Sequence, residues 1–487
     1  MLYEELAHQI TQEFPLPPTA LQQEAILSIA KFILSPAPNE VFILRGYAGT
    51  GKTTLVGALV RAVKKFQRDV VLLAPTGRAA KVFATHAQEK AYTIHKAIYR
   101  QKTFMGEDTE FTLGYNKNQH TIYVVDEASM VASHTGGSSL FGTGCLLDDL
   151  IHFVYDGEGC RLIFVGDTAQ LPPVGENESP ALSREILRNY GLRVTESHLT
   201  EVVRQSQTSG VLANATRLRQ QITEAQDTPP SICVSAKGEV QHLPGGQLIE
   251  ALVTAYQDFG VHDTIVVTRS NKRANIYNQG IRSRIFDREE NLMRGDLIMA
   301  VKNNYYWTEQ LSLTLPKGEQ LPFHFIANGD TAEVIGIRNV HEQHGFHFAD
   351  ATLRFPDYDD FEMEVRVLLD TLSSESPSLT SDESNQLFEN VLEDYLHIPT
   401  KKERMKNIRQ DPYYNALQIK YAYAVTCHKA QGGQWSRVFI DQGYLPADIS
   451  PIPYLRWLYT AFTRTTDRLY LVNWPKEQLQ HAPSEES

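Results

Sequence analysis

The segment Gly46-Tyr-Ala-Gly-Thr-Gly-Lys52-Thr53 constrains this chain more than any other. It fits the pattern GxxxxGK[ST], follows the apolar run VFIL (41–44) and opens the helical pattern TTLVGALV. A strand, a glycine-rich turn and a helix in that order make a phosphate-binding loop. Gly46, Gly49 and Gly51 leave room for backbone N–H groups to curl round phosphates, and the helix N-terminus adds positive potential. Lys52 is expected to reach the β- and γ-phosphates and Thr53 to ligate Mg²⁺, with Thr54 next to it in the nucleotide-binding set. The cofactors read from this loop are ATP and Mg²⁺.

The loop also implies the fold around it. VFIL is joined by VVLLA (70–74), IYVV (122–125) and RLIFV (161–165), with helical patterns between them. Strands alternating with helices imply βαβ units and a parallel sheet. A second set follows: IVVT (265–268), YAYAVT (421–426), VFI (438–440) and LYLV (469–472). The chain thus reads as two α/β halves meeting near residue 190. Its 487 residues are enough for about three domain-sized units. From 302 to about 415 the rhythm breaks. NGDTAEVIGI (328–337) and FHFADATLRF (346–355) alternate like antiparallel strands with a solvated face, so a small β module is expected there. Within it, 357–394 carries twelve acids against one base, Arg366, before 401–409 (KKERMKNIR) swings basic. That segment reads as a solvated helix pair or loop, with partner binding as the alternative.

Composition limits the function classes. Acids outnumber bases 58 to 46, for a net charge of −12, which excludes a uniformly basic nucleic-acid coat but not a local basic groove. Cys145, Cys160, Cys233 and Cys427 include no CxxC pair, and a reducing, cytoplasmic setting is expected (nucleoid-associated in a bacterium). The opening MLYEELAHQI lacks a signal-peptide layout, and no run reaches the ~18 apolar residues of a membrane span.

Further motifs supply the rest of a phosphoryl-transfer site. Asp126 and Glu127 follow the strand IYVV, where an acid suits Mg²⁺ and its neighbour can orient or deprotonate water. Gln170 in FVGDTAQLPPVG follows another strand end, able to read a γ-phosphate or a water, while Asp167 reads as structural. Arg204 in LTEVVRQ and Arg464 in YTAFTRT are the candidate cations for transition-state charge.

Taken in order, the phosphate loop, APTGRAAKV (74–82), TIH (93–95), VVDEASM, GDTAQLPPVG, LTEVVRQ, RSNKRANIYN (269–278), TCHKAQG (426–432) and YTAFTRT resemble superfamily 1 DNA helicases of the RecD-like and Dda-like branch. The motifs span nearly the whole chain. The resemblance implies two RecA-like P-loop motor domains, 5′→3′ translocation on single-stranded DNA, and ATP-driven strand separation in repair, recombination or replication. It assigns ATPase roles to Lys52, Thr53, Asp126, Glu127, Gln170, Arg204 and Arg464, and adenine recognition to Gln22, with Gln23 the competing register. It implies DNA contacts from Thr76, Arg78, His95, Thr426 and His428; Lys429 and Gln431 share that last block, and Gln431 could instead sense nucleotide. Such contacts grip phosphates without reading sequence. The expected partners are single-stranded and forked DNA, no membrane, and a chain active as a monomer.

The resulting division is 1–190 for the first motor domain, 191–301 plus 416–487 for the second, and 302–415 for an inserted SH3-like β-barrel. A β-hairpin pin is expected at 98–119, with Phe104 and Phe111 as candidates to split the first base pair. Tyr305, Tyr306 and Trp307 are expected as buried aromatics, with base stacking as the alternative. His341, His344 and His347 read as a solvated hairpin rather than a metal site, and nothing marks a nuclease. Two other functions stay open: a nucleic-acid translocase that does not unwind, and a P-loop ATPase serving as a protein-interaction switch.

Overall fold

A computed structural model describes residues 2–101, 111–133, 142–202, 209–226, 228–316, 321–323, 325–445 and 450–481. The first lobe holds strands β1 (Glu40–Gly46), β2 (Val70–Ala74), β3 (Ala91–Thr93), β4 (Tyr99–Gln101), β5 (Phe111–Leu113), β6 (Ile122–Val125), β7 (Arg161–Gly166) and β8 (Arg193–Leu199). Six of them form a wholly parallel sheet in the order β3-β2-β6-β7-β1-β8. Side chains alternate across the sheet, as a two-residue strand repeat requires. Phe42 and Leu44 of β1 pack under helices Leu2–Gln12, Ala20–Leu34 and Lys52–Lys65. Val41 and Ile43 face the opposite core, with Leu147, Leu150 and Val154 of helix Leu146–Asp156. Burial on both faces is why these strands read as unbroken apolar runs.

The expected boundary at 190 falls short. β8 begins at Arg193 and pairs with β1 along its whole length, so the first sheet ends at Leu199. Within the segment expected to form the pin, β4 and β5 pair antiparallel, with Gln101 opposite Phe111. Phe104 lies outside the described residues.

The second lobe and its insertion contain β9 (Ile232–Val234), β10 (Val240–Leu243), β11 (Thr264–Thr268), β12 (Leu297–Ala300), β13 (Thr331–Gln343), β14 (Phe346–Phe355), β15 (Phe361–Leu368), β16 (Leu417–Tyr421), β17 (Ala424–Thr426), β18 (Trp435–Asp441), β19 (Thr465–Val472) and β20 (Leu479–His481). The second parallel sheet runs β10-β19-β18-β11-β17. Strands β12 to β16 close into a five-stranded barrel. The barrel therefore reaches beyond the expected 302–415: its first and last strands lie outside those limits and pair with each other, Ile298 against Tyr421.

The acidic-then-basic segment forms two helices, Ser381–Asp394 and Lys401–Arg409. They are not merely solvated. Leu387, Val391 and Ile408 bury against Phe346, Phe348 and Leu368 of the barrel. HEQHGFH is the β13–β14 hairpin, with His344 (φ 53°) and Gly345 (φ 75°) supplying the left-handed turn. Its histidines diverge: His341 meets the Tyr413 hydroxyl, His344 lies 3.5 Å from Asp394, and His347 pairs with Asp370. No group of metal-ligating side chains occurs among the described residues.

Candidate functional site

Three turns meet at the C-terminal ends of β1, β6 and β7, where parallel α/β sheets gather ligands. The first is the phosphate loop. Gly49 (φ 75°) and Gly51 (φ 81°) take left-handed backbone, and Gly51 caps the helix that starts at Lys52. At Gly46 the constraint is space: a methyl group would stand 2.8 Å from Lys52 Cγ and from Thr50 Oγ1. Lys52 Nζ donates to the carbonyls of Gly46 at 2.7 Å and Tyr47 at 3.0 Å, so the ammonium lies folded over its own loop. Thr53 and Thr54 follow in the first helical turn.

Gln22 braces this loop from below. Its Nε2 donates to the Thr50 carbonyl at 3.0 Å, while its Oε1 completes a capping box on Thr19. Gln23 points to solvent. Of the two registers, Gln22 is the one that touches the loop.

Asp126 follows the last residue of β6, and Glu127 comes next in left-handed backbone (φ 48°), its N–H donating to Asp126 Oδ1 at 2.8 Å. Burial and the Glu127 charge push the Asp126 carboxyl up to about 7. A buried carboxylate beside a second acid is relieved by a cation, and hard oxygen donors suit Mg²⁺. Arg464, 3% exposed, reaches from the second lobe to within 3.8 Å of Glu127. Its guanidinium is oriented by the carbonyls of Thr460 and Gly433. Gln170 is buried in the turn after β7, and its Oε1 has no hydrogen-bond partner among the described residues. Buried acceptors are rarely left so, and this one is placed to take a donor such as water. Arg204 lies outside the described residues.

Several contacts carry no clear signal in the sequence. Tyr459 of helix Pro451–Phe462 inserts its hydroxyl between Ala48 of the phosphate loop and Asp167. Arg219, on helix Gly210–Thr223, lies over the Tyr47 ring at 4.2 Å. The one available signal for Tyr459 is its place in YTAFTRT, five residues before Arg464.

A cavity of about 770 Å³ opens where both lobes and the barrel meet. Thr76 and Arg78 line it from the first lobe, and Thr426, His428, Lys429 and Gln431 from the second. Arg269, Asn271 and Lys272, from the RSNKRANIYN block, join them, although sequence reasoning gives that block no role. The Arg78 guanidinium stacks on Trp435 at 4.0 Å and donates to the Gln434 carbonyl, bridging the lobes. Thr76 also caps helix Gly77–Ala87. His95 is not among the residues that line this cavity. Its ring packs with Tyr99 and Phe325 at the first lobe–barrel junction, where burial pulls it down to about 4 and keeps it neutral. Tyr305 and Trp307 are likewise packed, Tyr305 on Phe325 and the Trp307 indole N–H on the Asn415 carbonyl.

A phosphate loop and acid pair on one parallel sheet, met by an arginine from a second, define a two-lobed P-loop NTPase. Residues 21–228 match the AAA domain family, and residues 421–472 match the UvrD-like helicase C-terminal domain. An uncharacterized protein of Acanthamoeba polyphaga mimivirus is 22% identical over 88% of this chain and 95% of its own length. The ATP-dependent RecD2 DNA helicase of Deinococcus radiodurans is 30% identical over 28% of this chain, a match covering 17% of that helicase. Among solved structures, Pif1 helicase from Bacteroides in complex with ADP-AlF3 and ssDNA aligns over 96% of this chain and 95% of that one, at 16% identity and a TM-score of 0.45. The chain thus carries an AAA domain in its first lobe and a UvrD-like helicase C-terminal domain in its second.

Proposed function

We propose that this protein is an ATP-dependent DNA helicase that tracks on single-stranded DNA 5′→3′ and unwinds forked duplex. The observation that carries the reading is Arg464 of the second lobe facing Glu127 of the first, 3.8 Å away. Hydrolysis chemistry that needs both lobes makes lobe position depend on the nucleotide. The cavity lined by both lobes is then the natural track for the strand. The RecD2 resemblance favours DNA as that track. Repair, recombination or replication would be its setting, and a single chain carries all the parts.

In this reading Thr53 and Asp126 would hold Mg²⁺, which would supply charge neutralisation at the phosphates. Lys52 leaves its own loop carbonyls for the phosphates. Glu127 orients and deprotonates the attacking water, Gln170 holds that water or the γ-phosphate, and Arg464, with Arg204, stabilises the developing charge. Gln22 supports the loop and reads adenine. Thr76, Arg78, Thr426 and His428 grip the DNA backbone, with His95 behind them. The β4–β5 hairpin serves as the pin, and the barrel takes the SH3-like role.

The test is steady-state ATP hydrolysis with and without single-stranded DNA across a salt series, followed by forks with 5′ or 3′ tails. Stimulation that fades with salt, and unwinding only with the 5′ tail, is the expected result. Hydrolysis indifferent to DNA would sink the assignment.

A further inference from the structure

The contacts made by Tyr459 extend beyond the phosphate loop. Its hydroxyl accepts from the Ala48 backbone N–H at 2.9 Å and donates to Asp167 Oδ2. The other oxygen of Asp167 accepts from the Ala169 N–H at 2.9 Å, fixing the turn that follows β7. Two residues on, the Leu171 N–H donates to Thr460 Oγ1 at 2.9 Å, and the Leu171 carbonyl accepts from Gln431 Nε2 at 2.8 Å. Gln431 stands in the wall of the nucleic-acid cavity with Thr426 and His428. A continuous run of buried polar contacts thus joins the phosphate-loop backbone to that cavity. Tyr459 and Asp167 are each 1% exposed and Thr460 is fully buried, so water offers these groups little substitute.

The Ala48 N–H carries one proton. It serves the tyrosine oxygen or a phosphate oxygen, not both at full strength. Phosphate entering the loop therefore competes with Tyr459, and a shift of helix Pro451–Phe462 relative to the first lobe alters that competition. A strand entering the cavity would press on Gln431, and through its bond to Leu171 on the turn that holds Asp167. Coupling of this kind is reciprocal: whatever favours release of Ala48 at one end is favoured by it at the other.

We propose that Tyr459 is a positioning residue that couples the nucleic-acid cavity to the phosphate loop by exchanging the Ala48 N–H with incoming phosphate. The inference rests on the ATPase reading above and adds a coupling residue distinct from Arg464.

Tyr459→Phe removes the hydroxyl and keeps the ring. Hydrolysis is measured against ATP concentration with and without an oligothymidylate, and binding of a non-hydrolysable ATP analogue is measured without it. The expected result is a several-fold tighter analogue affinity together with a loss of about tenfold in oligothymidylate stimulation of kcat. Asp167→Asn should shift both in the same direction, and the double variant should be no worse than Tyr459→Phe alone. Additive losses, or a kcat lowered equally with and without oligothymidylate, would mean a packing role and overturn the proposal. Unchanged stimulation and affinity would overturn it too. If Tyr459→Phe melts early, the same two measurements on Asp167→Asn decide the matter. A wild-type ATPase that ignores oligothymidylate defeats the DNA-motor reading instead, and the analogue affinity still judges the competition at Ala48.

Discussion

Arg464 and Glu127 face each other across the lobes, so each is testable through kcat with little effect on nucleotide binding. Arg464→Ala should lower kcat by about 10³-fold while the affinity for an ATP analogue stays within a few-fold. Glu127→Gln keeps the shape and removes the proposed base, and a fall of about 10²- to 10⁴-fold is expected in the same assay. Lys429 brings a pH dependence. Burial pulls its ammonium down to about 8, so the cavity loses a positive charge as pH rises through that value. DNA affinity should therefore weaken from pH 7 to pH 9, and Lys429→Met should flatten that profile and lower the salt slope by about 1. These residues are legible in the sequence because each stands in a short pattern with one chemical purpose. Tyr459 is not, because its role depends on a partner, Ala48, more than four hundred positions earlier in the chain. Likewise a histidine in TIH shows nothing of Phe325, which comes from the barrel and decides that His95 is packed and neutral.

Among the elements, the central strands are legible because burial on both faces leaves continuous apolar runs. β8 escapes notice for the opposite reason. RVTESHL occupies a sheet edge, and its alternating burial hides a parallel strand among polar residues. The barrel limits are obscured at a junction: β16 runs into β17 across only Ala422 and Tyr423, so YAYAVT (421–426) reads as one strand although its first residue ends β16 and the chain changes sheets within it. That junction is tied by Asp296, wholly buried immediately before β12. It takes two bonds from Arg282, at 2.9 and 3.0 Å, one from Arg288, and one from the Tyr423 hydroxyl. Removing the carboxylate leaves two largely buried guanidiniums uncompensated, so Asp296→Ala should destabilise the second lobe by about 3–5 kcal/mol, read by denaturant unfolding. The β4–β5 hairpin calls for a different readout. Deleting 103–115 should abolish fork unwinding while DNA-stimulated hydrolysis persists; a deletion that still unwinds forks removes the hairpin from the mechanism.

In the whole molecule, the second lobe is interrupted. Its strand β11 lies between β17 and β18, both of which come from beyond the barrel. A ribosome therefore releases β11 roughly 150 residues before either partner exists, and parallel pairing across such a separation is slow. In that interval TIVVT, buried along its whole length in the finished protein, has no sheet to join. The barrel's inner strands, hairpin neighbours in sequence, can form first and draw the two halves of the lobe together through β12 and β16. Cutting the insertion out would then leave a motor that has lost its assembly jig, and chains stalled before residue 417 would be the ones that chaperones hold.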